Sequence, residues 1–273
     1  MNEFKKRAFT GAAYVVLTLG AAIAGPWTTF MLFLPVCVIG AREWHRLYHP
    51  LGEGDPGEGR TMLLSAIVFI AVGSIPMLEG WTLLAATAMM IAVLVALAFG
   101  IMRRGVKDPA RAFAGYLATI VYIALPFASV TWLVSIHHYV FIGFMVLLWT
   151  SDTGAYLVGR TIGRNKLMPS VSPGKTWEGL LGGVVLTMIV GWLLARAWQP
   201  AAAFFVLPIG LTVAVMATLG DLLESAFKRA RGVKDSGTIL PGHGGILDRF
   251  DGFLLAAPAV LVIFHLIAAA IVL

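Results

Sequence analysis

Long apolar runs separated by short polar stretches recur along this chain. They are read as membrane helices at about 8–24, 27–41, 61–78, 81–101, 112–135, 139–158, 177–197, 203–223 and 252–272. In lipid every backbone polar group needs an internal partner, so such runs are helices. Gly25-Pro26 separates the first two. The second is short and is expected to tilt little or to be partly re-entrant. The Gly/Pro-rich stretch 49–60, a basic loop at 102–111, His137-His138 and Trp198-Gln199-Pro200 mark further connections. No repeat of fixed period is visible. The expected fold is all-α, a polytopic membrane protein of about nine spans.

Composition agrees with the pattern. The chain is 59% apolar and 12% charged, whereas a soluble domain carries about 25% charged residues. The first residues, MNEFKKR before an apolar run, resemble a signal peptide. No secreted soluble domain follows, so the run is read as the first membrane helix. The lone cysteine, Cys37, excludes an intrachain disulfide and a Cys-based metal site.

Charge then sets orientation. The net charge of +6 does not point to nucleic acid, because the basic residues sit in loops between apolar runs. With nine spans and a cytoplasmic N-terminus, all of the 20 Lys and Arg residues except Arg196 fall on the cytoplasmic side. Adding or dropping a span scrambles that asymmetry. The expected setting is therefore the cytoplasmic membrane, with the C-terminus outside and nearly all polar chemistry facing the cytoplasm.

Three polar clusters lie late in the chain on that face. The first is Ser151-Asp152-Thr153-Gly154, where Asp152 falls within the inner third of a membrane helix. An ionisable group at that depth is expensive and marks a site. The second is SVSPGKTWEG, residues 170–179. Lys175 offers a point charge for a phosphate, Thr176 an N-cap hydroxyl, and the helix that follows a positive dipole end. A P-loop is rejected, because its upstream glycine is missing.

The third cluster, residues 220–252, holds five of the 14 acidic and five of the 20 basic residues. Asp221, Glu224, Ser225 and Lys228 are spaced to share one helix face, as are Asp248 and Asp251. Two carboxylates from each of two helices suit Mg²⁺, which takes hard oxygen ligands. Between them Pro241-Gly242-His243-Gly244-Gly245 is too glycine-rich for a helix, and its amides are expected to form an anion nest. Lys228, Arg229, Lys234 and Arg249 surround it. Asp152 and Lys175 are expected to converge on this cluster from two other segments.

These motifs resemble the phosphatidate cytidylyltransferase family, the CDP-diacylglycerol synthases. The signature Ser-x-x-Lys-Arg, Lys-Asp, His-Gly-Gly-x-x-Asp-Arg-x-Asp stands here as Ser225, Lys228-Arg229, Lys234-Asp235, and His243-Gly244-Gly245 through Asp248-Arg249 and Asp251. Gly220-Asp221-Leu222, the run from Ser151 to Tyr156, and Ser172-Pro173 through Lys175-Thr176 to Glu178-Gly179 also look like family segments. The first 110 residues match in character only.

The resemblance implies transfer of the cytidylyl group of CTP to phosphatidate, giving CDP-diacylglycerol and pyrophosphate. It implies Mg²⁺ with a second cation, a homodimer, and a catalytic membrane domain over 111–273 behind N-terminal helices at 1–110. Asp221 and Asp248 are implied as the main metal carboxylates, with Glu224 and Asp251 as further candidates. Lys228 and His243 join the three aspartates among the catalytic candidates. Asp152, Ser172, Lys175, Thr176, Glu178, Ser225, Arg229, Lys234, Asp235, Gly244, Gly245 and Arg249 are candidates for binding substrate.

Two other readings are weaker. A CDP-alcohol phosphotransferase carries an Asp-Gly-x-x-Ala-Arg run, whereas Asp251-Gly252 is followed here by Phe-Leu-Leu. A transporter carries mid-bilayer charges or inverted repeats, and neither is visible.

Overall fold

Helices dominate the computed structural model, which describes residues 3–48, 57–78, 88, 91–93, 95, 108–198, 206–239 and 244–272. The expected span at 81–101 lies almost wholly outside these residues. Among the described residues six helices are long and apolar enough to cross a membrane. The helical membrane class is as expected. The chain divides into two compact units, Met1–His138 with Val233–Phe250, and Tyr139–Gly232 with Asp251–Leu273.

The first unit is built from α1 (Glu3–Ala24), α2 (Pro26–Tyr48), α3 (Glu58–Gly73), α4 (Pro109–Thr119) and α5 (Leu125–Ile136). A π turn, Ile120–Ala124, joins α4 to α5. Phe33, Phe69 and Phe127 are buried in its core, and the Phe250 ring centroid lies 5.1 Å from that of Phe127. Trp132 donates from Nε1 to the Val72 carbonyl at 3.0 Å, and Thr131 from its hydroxyl to the Gly73 carbonyl at 2.8 Å. These bonds satisfy groups that lipid would leave unpaired.

The second run is not short. α2 continues seven residues past 41, through Arg42, Glu43 and Arg46. The extension is possible because its polar groups find partners. Arg42 and Arg46 pair with Glu58 at the start of α3. His45 Nδ1 lies 2.8 Å from the Thr61 hydroxyl. Of the two courses expected for this run, the partly re-entrant one does not hold, because the run is a full helix with a polar end.

The second unit comprises α6 (His138–Ile162, from Tyr139 onward), a hairpin, α7 (Trp177–Trp198), α8 (Val206–Ala230) and the part of α9 (Leu247–Val272) from Asp251 onward. The hairpin pairs β1 (Lys166–Met168) with β2 (Ser172–Thr176), antiparallel. The helix α7 buries Gly179, Gly183, Thr187, Gly191 and Ala195. Its outer face carries the exposed Leu181, Val185, Ile189 and Leu193. Small residues inward and large apolar ones outward invert the pattern of a soluble helix and suit lipid.

Close backbone approach sets the helix crossings. A Cβ on Gly183 would lie 3.0 Å from the Ser151 carbonyl oxygen, so α6 and α7 pack almost backbone to backbone. At the crossing of α8 and α9, a Cβ on Gly220 would lie 2.5 Å from the Asp251 carbonyl oxygen, and one on Gly252 3.1 Å from that of Ala217. This glycine contact brings the neighbouring positions Asp221 and Asp251 together.

Candidate active site

Helical spacing in α8 does what the sequence suggests. Ser225 donates to Asp221 Oδ1 at 3.1 Å, one turn away, and Lys228 Nζ lies 3.0 Å from Glu224 Oε1. Glu224 and Lys228 are both buried. An ion pair taken out of water holds together strongly once formed, because losing either partner strands the other charge.

Three other segments of the same unit reach this face. Lys175, on β2, places Nζ 2.6 Å from Asp221 Oδ2 and 3.3 Å from the Thr218 carbonyl oxygen. Asp152, on α6, lies within electrostatic range of Lys175 and Asp221. Asp251, on α9, lies within range of Asp221, Asp152 and Lys228. Asp251 Oδ1 accepts a hydrogen bond from the Gly252 amide at 2.6 Å. The expected convergence of Asp152 and Lys175 on Asp221 is thus present. Four carboxylates face two ammonium groups, which leaves the cluster net negative. Among the described residues no group of three or more His, Cys, Asp and Glu already stands in metal-holding geometry.

The hairpin aims Lys175. Thr176 caps α7 as expected, its hydroxyl accepting from the Gly179 amide at 3.1 Å. Glu178 folds back onto the hairpin and accepts from the Arg164 amide at 3.1 Å, the Asn165 amide at 3.2 Å and Asn165 Nδ2 at 2.7 Å. Its carboxylate is engaged with protein donors in this conformation. Ser172 is half-buried in β2, and Arg229 is exposed near the end of α8.

The first unit holds the rest of the charged stretch. The nest expected over 241–245 lies mostly outside the described residues, and at its described edge two carboxylates of the chain itself take up the amides of 245–247. Asp248 Oδ2 accepts from the Gly245 amide at 2.7 Å, the Ser236 amide at 2.8 Å and the Ser236 hydroxyl at 3.0 Å. Glu43, reaching over from α2, accepts from the Ile246 amide at 3.0 Å and the Leu247 amide at 2.9 Å. Its Oε2 lies 3.1 Å from the Ser236 hydroxyl.

Amides at a helix start lack intrahelical partners and sit at the positive end of the dipole, so a carboxylate is favoured there. The glycines make room for it. Gly244 has φ +82°, and a Cβ on it would lie 2.6 Å from Asp248 Oδ2. A Cβ on Gly237 or Gly245 would strike the Glu43 carboxylate. Lys234, Asp235 and Arg249 are exposed. His243, Pro241 and Gly242 lie outside the described residues.

Glu43 is the residue that sequence reasoning missed. Its signal was present, since Gly40, Glu43, Trp44 and Leu47 make one helix face and three of the four are apolar. A carboxylate on such a face must have a buried partner. The neighbouring Arg42 and Arg46 give the same stretch the look of a basic cytoplasmic helix end. His265 Nδ1 lies 2.8 Å from the Leu261 carbonyl oxygen.

Known proteins resemble part of this chain. The chain is similar to the phosphatidate cytidylyltransferase of Bacillus subtilis (strain 168), 50% identical over 114 residues, which is 41% of this chain and 42% of that protein. It is similar to proteins of the same name from Staphylococcus saprophyticus and Staphylococcus aureus (strain COL), each 48% identical over 122 residues, covering 44% of this chain and 46% of theirs. Each match spans less than half the length of the relative. The family model described as the cytidylyltransferase family matches residues 5–267, nearly the whole chain, and the chain belongs to that family.

Proposed function

We propose that this chain transfers the cytidylyl group of CTP to phosphatidate, giving CDP-diacylglycerol and pyrophosphate. The observation that carries the reading is the cluster of Asp152, Lys175, Asp221 and Asp251, drawn from three helices and a hairpin. The names of the relatives point the same way. An oxygen of the phosphatidate phosphate attacks the α-phosphorus of CTP. The bond from that phosphorus to the oxygen bridging the β-phosphorus breaks, and its electron pair leaves with pyrophosphate. The attacking phosphate is already an anion, so no residue has to remove a proton.

The work left to the protein is positioning and charge neutralisation. Lys175 and Lys228 supply ammonium groups at the cluster, and Arg229, Lys234 and Arg249 supply exposed cations for the triphosphate or the lipid phosphate. Thr176 and Glu178 act one step back, by bracing the hairpin that carries Lys175. The donor set suits Mg²⁺, because hard carboxylate oxygens outnumber the ammonium groups facing them. Asp221 and Asp251 would hold the ion, helical spacing adds Glu224, and the family resemblance adds Asp248 and a second cation. When bound, Mg²⁺ supplies the positive charge that offsets the charge developing on pyrophosphate.

The same reading sets the chain in the cytoplasmic membrane as a nine-span homodimer, with its N-terminus and cluster on the cytoplasmic side. The asymmetry of the basic loops supports that orientation. The test is direct. Protein purified in detergent and supplied with phosphatidate, Mg²⁺ and labelled CTP should form a CDP-lipid and pyrophosphate in equal amounts. Folded protein that forms no CDP-lipid under these conditions refutes the reading.

A further inference from the structure

Glu43 is 2% exposed, and every partner it has in the clasp around 236–247 is a donor. It meets two amides at the start of α9 and the hydroxyl of Ser236. That hydroxyl stands within hydrogen-bonding distance of two carboxylates, Glu43 and Asp248. A hydroxyl has one proton, so Ser236 links the two acids by sharing it. The Ser236 amide holds Asp248 from the same side. Glu43 thus reaches Asp248 by two routes, through Ser236 and through the helix start that bears Asp248.

We propose that Glu43 is a positioning residue for the transfer reaction, holding Asp248 and the 236–247 stretch in working geometry. The proposal rests on the reading above, in which Asp248 is one of the acidic residues of the chemistry. Glu43 is buried among protein donors and acts through its neighbours. Its charge suits the helix start, and its two oxygens match two adjacent amides. Gly237 and Gly245 keep the space open, since a side chain at either would displace the carboxylate.

Glu43→Gln is the informative variant. Each Glu43 oxygen faces a backbone N–H, so whichever way the amide turns, its NH₂ group meets one of those donors and at least one hydrogen bond becomes a clash. Loss of a residue that orients an acid at the site costs about 10- to 100-fold in activity. The expected result is a fall of that size in kcat, with KM for CTP unchanged within about twofold. Amide hydrogen exchange at Ser236 and at 245–247 should accelerate. Glu43→Asp, which keeps the charge, should recover part of the rate.

Wild-type kcat in Glu43→Gln, or unchanged exchange at those amides, overturns the proposal. Should Glu43→Gln fail to fold, Ser236→Ala removes the shared proton while leaving the helix start capped. It should lower kcat without moving KM, and wild-type kcat in that variant also overturns the proposal. Failure of the transfer reading is separate, since wild-type protein would then make no CDP-lipid while the exchange result still reports on the clasp.

Discussion

Gly220→Ala tests the site through its geometry alone, because it removes no charged or polar group. The added Cβ would lie 2.5 Å from the Asp251 carbonyl oxygen and 3.2 Å from the Gly252 Cα. Comfortable separations for such atoms are about 3.5 Å, so α8 and α9 must part by roughly 1 Å at that point. Neither neighbour is the end of a flexible side chain, so the strain falls on the helix backbones. Overpacking of this kind costs about 1–3 kcal/mol.

The larger effect is expected on catalysis. Asp221 and Asp251 flank this contact on the two helices, and a displacement of about 1 Å can cost about 100-fold in rate. The measurement pairs the initial rate of CDP-lipid formation with the thermal midpoint in the same detergent. Gly20→Ala is the control, because nothing lies within 4 Å of its Cβ. In a helix interior that substitution gains up to about 1 kcal/mol. A Gly220→Ala protein with wild-type rate and midpoint would show that the crossing does not set the carboxylate geometry.

Lys175→Met should fold, since the side chain is only partly buried and Met keeps its apolar stem, but should lose about 100-fold in kcat as a phosphate-facing charge disappears. Lys175→Arg should rescue it poorly, because a planar fork does not replace a point charge beside Asp221; full activity in Lys175→Met would remove Lys175 from the site. A reporter fused after Leu273 should report from the non-cytoplasmic side, and a cytoplasmic signal would refute the nine-span count.

What was legible in the sequence was what depends on near neighbours. The spacing of Asp221, Glu224, Ser225 and Lys228 forecast one helix face, and bonds between residues four apart now join its members. Thr176 was legible as a cap because a helix start is signalled within three residues. The hairpin of Lys166–Met168 with Ser172–Thr176 was not, because such short strands containing Pro173 and Gly174 carry no alternating pattern. It is held by Glu178 and the backbone of residues 164 and 165, a contact that only the folded chain supplies. The length of α2 was misjudged for a related reason. Arg42, Glu43 and Arg46 look like the end of a helix until Glu58 and the amides of 246 and 247 are known to receive them.

The stretch after the glycine pair shows which anions its amides receive. Gly244-Gly245 beside Lys234 and Arg249 has the chemistry of a phosphate seat, and amides at a helix start do favour negative charge. The seat is real, but Glu43 and Asp248 occupy it. A substrate phosphate would have to displace a buried carboxylate held by two amides and lying within reach of a hydroxyl, and would leave that charge stranded. The proposed reaction therefore assigns phosphate not to the amides of 245–247 but to ammonium and guanidinium groups, Lys175 first among them. Its present partner, Asp221, is a carboxylate that the reaction assigns to a cation. The Lys175–Asp221 pair at 2.6 Å is then a contact that the proposed reaction would divide, with Lys175 turned to phosphate and Asp221 among the residues that would hold a cation.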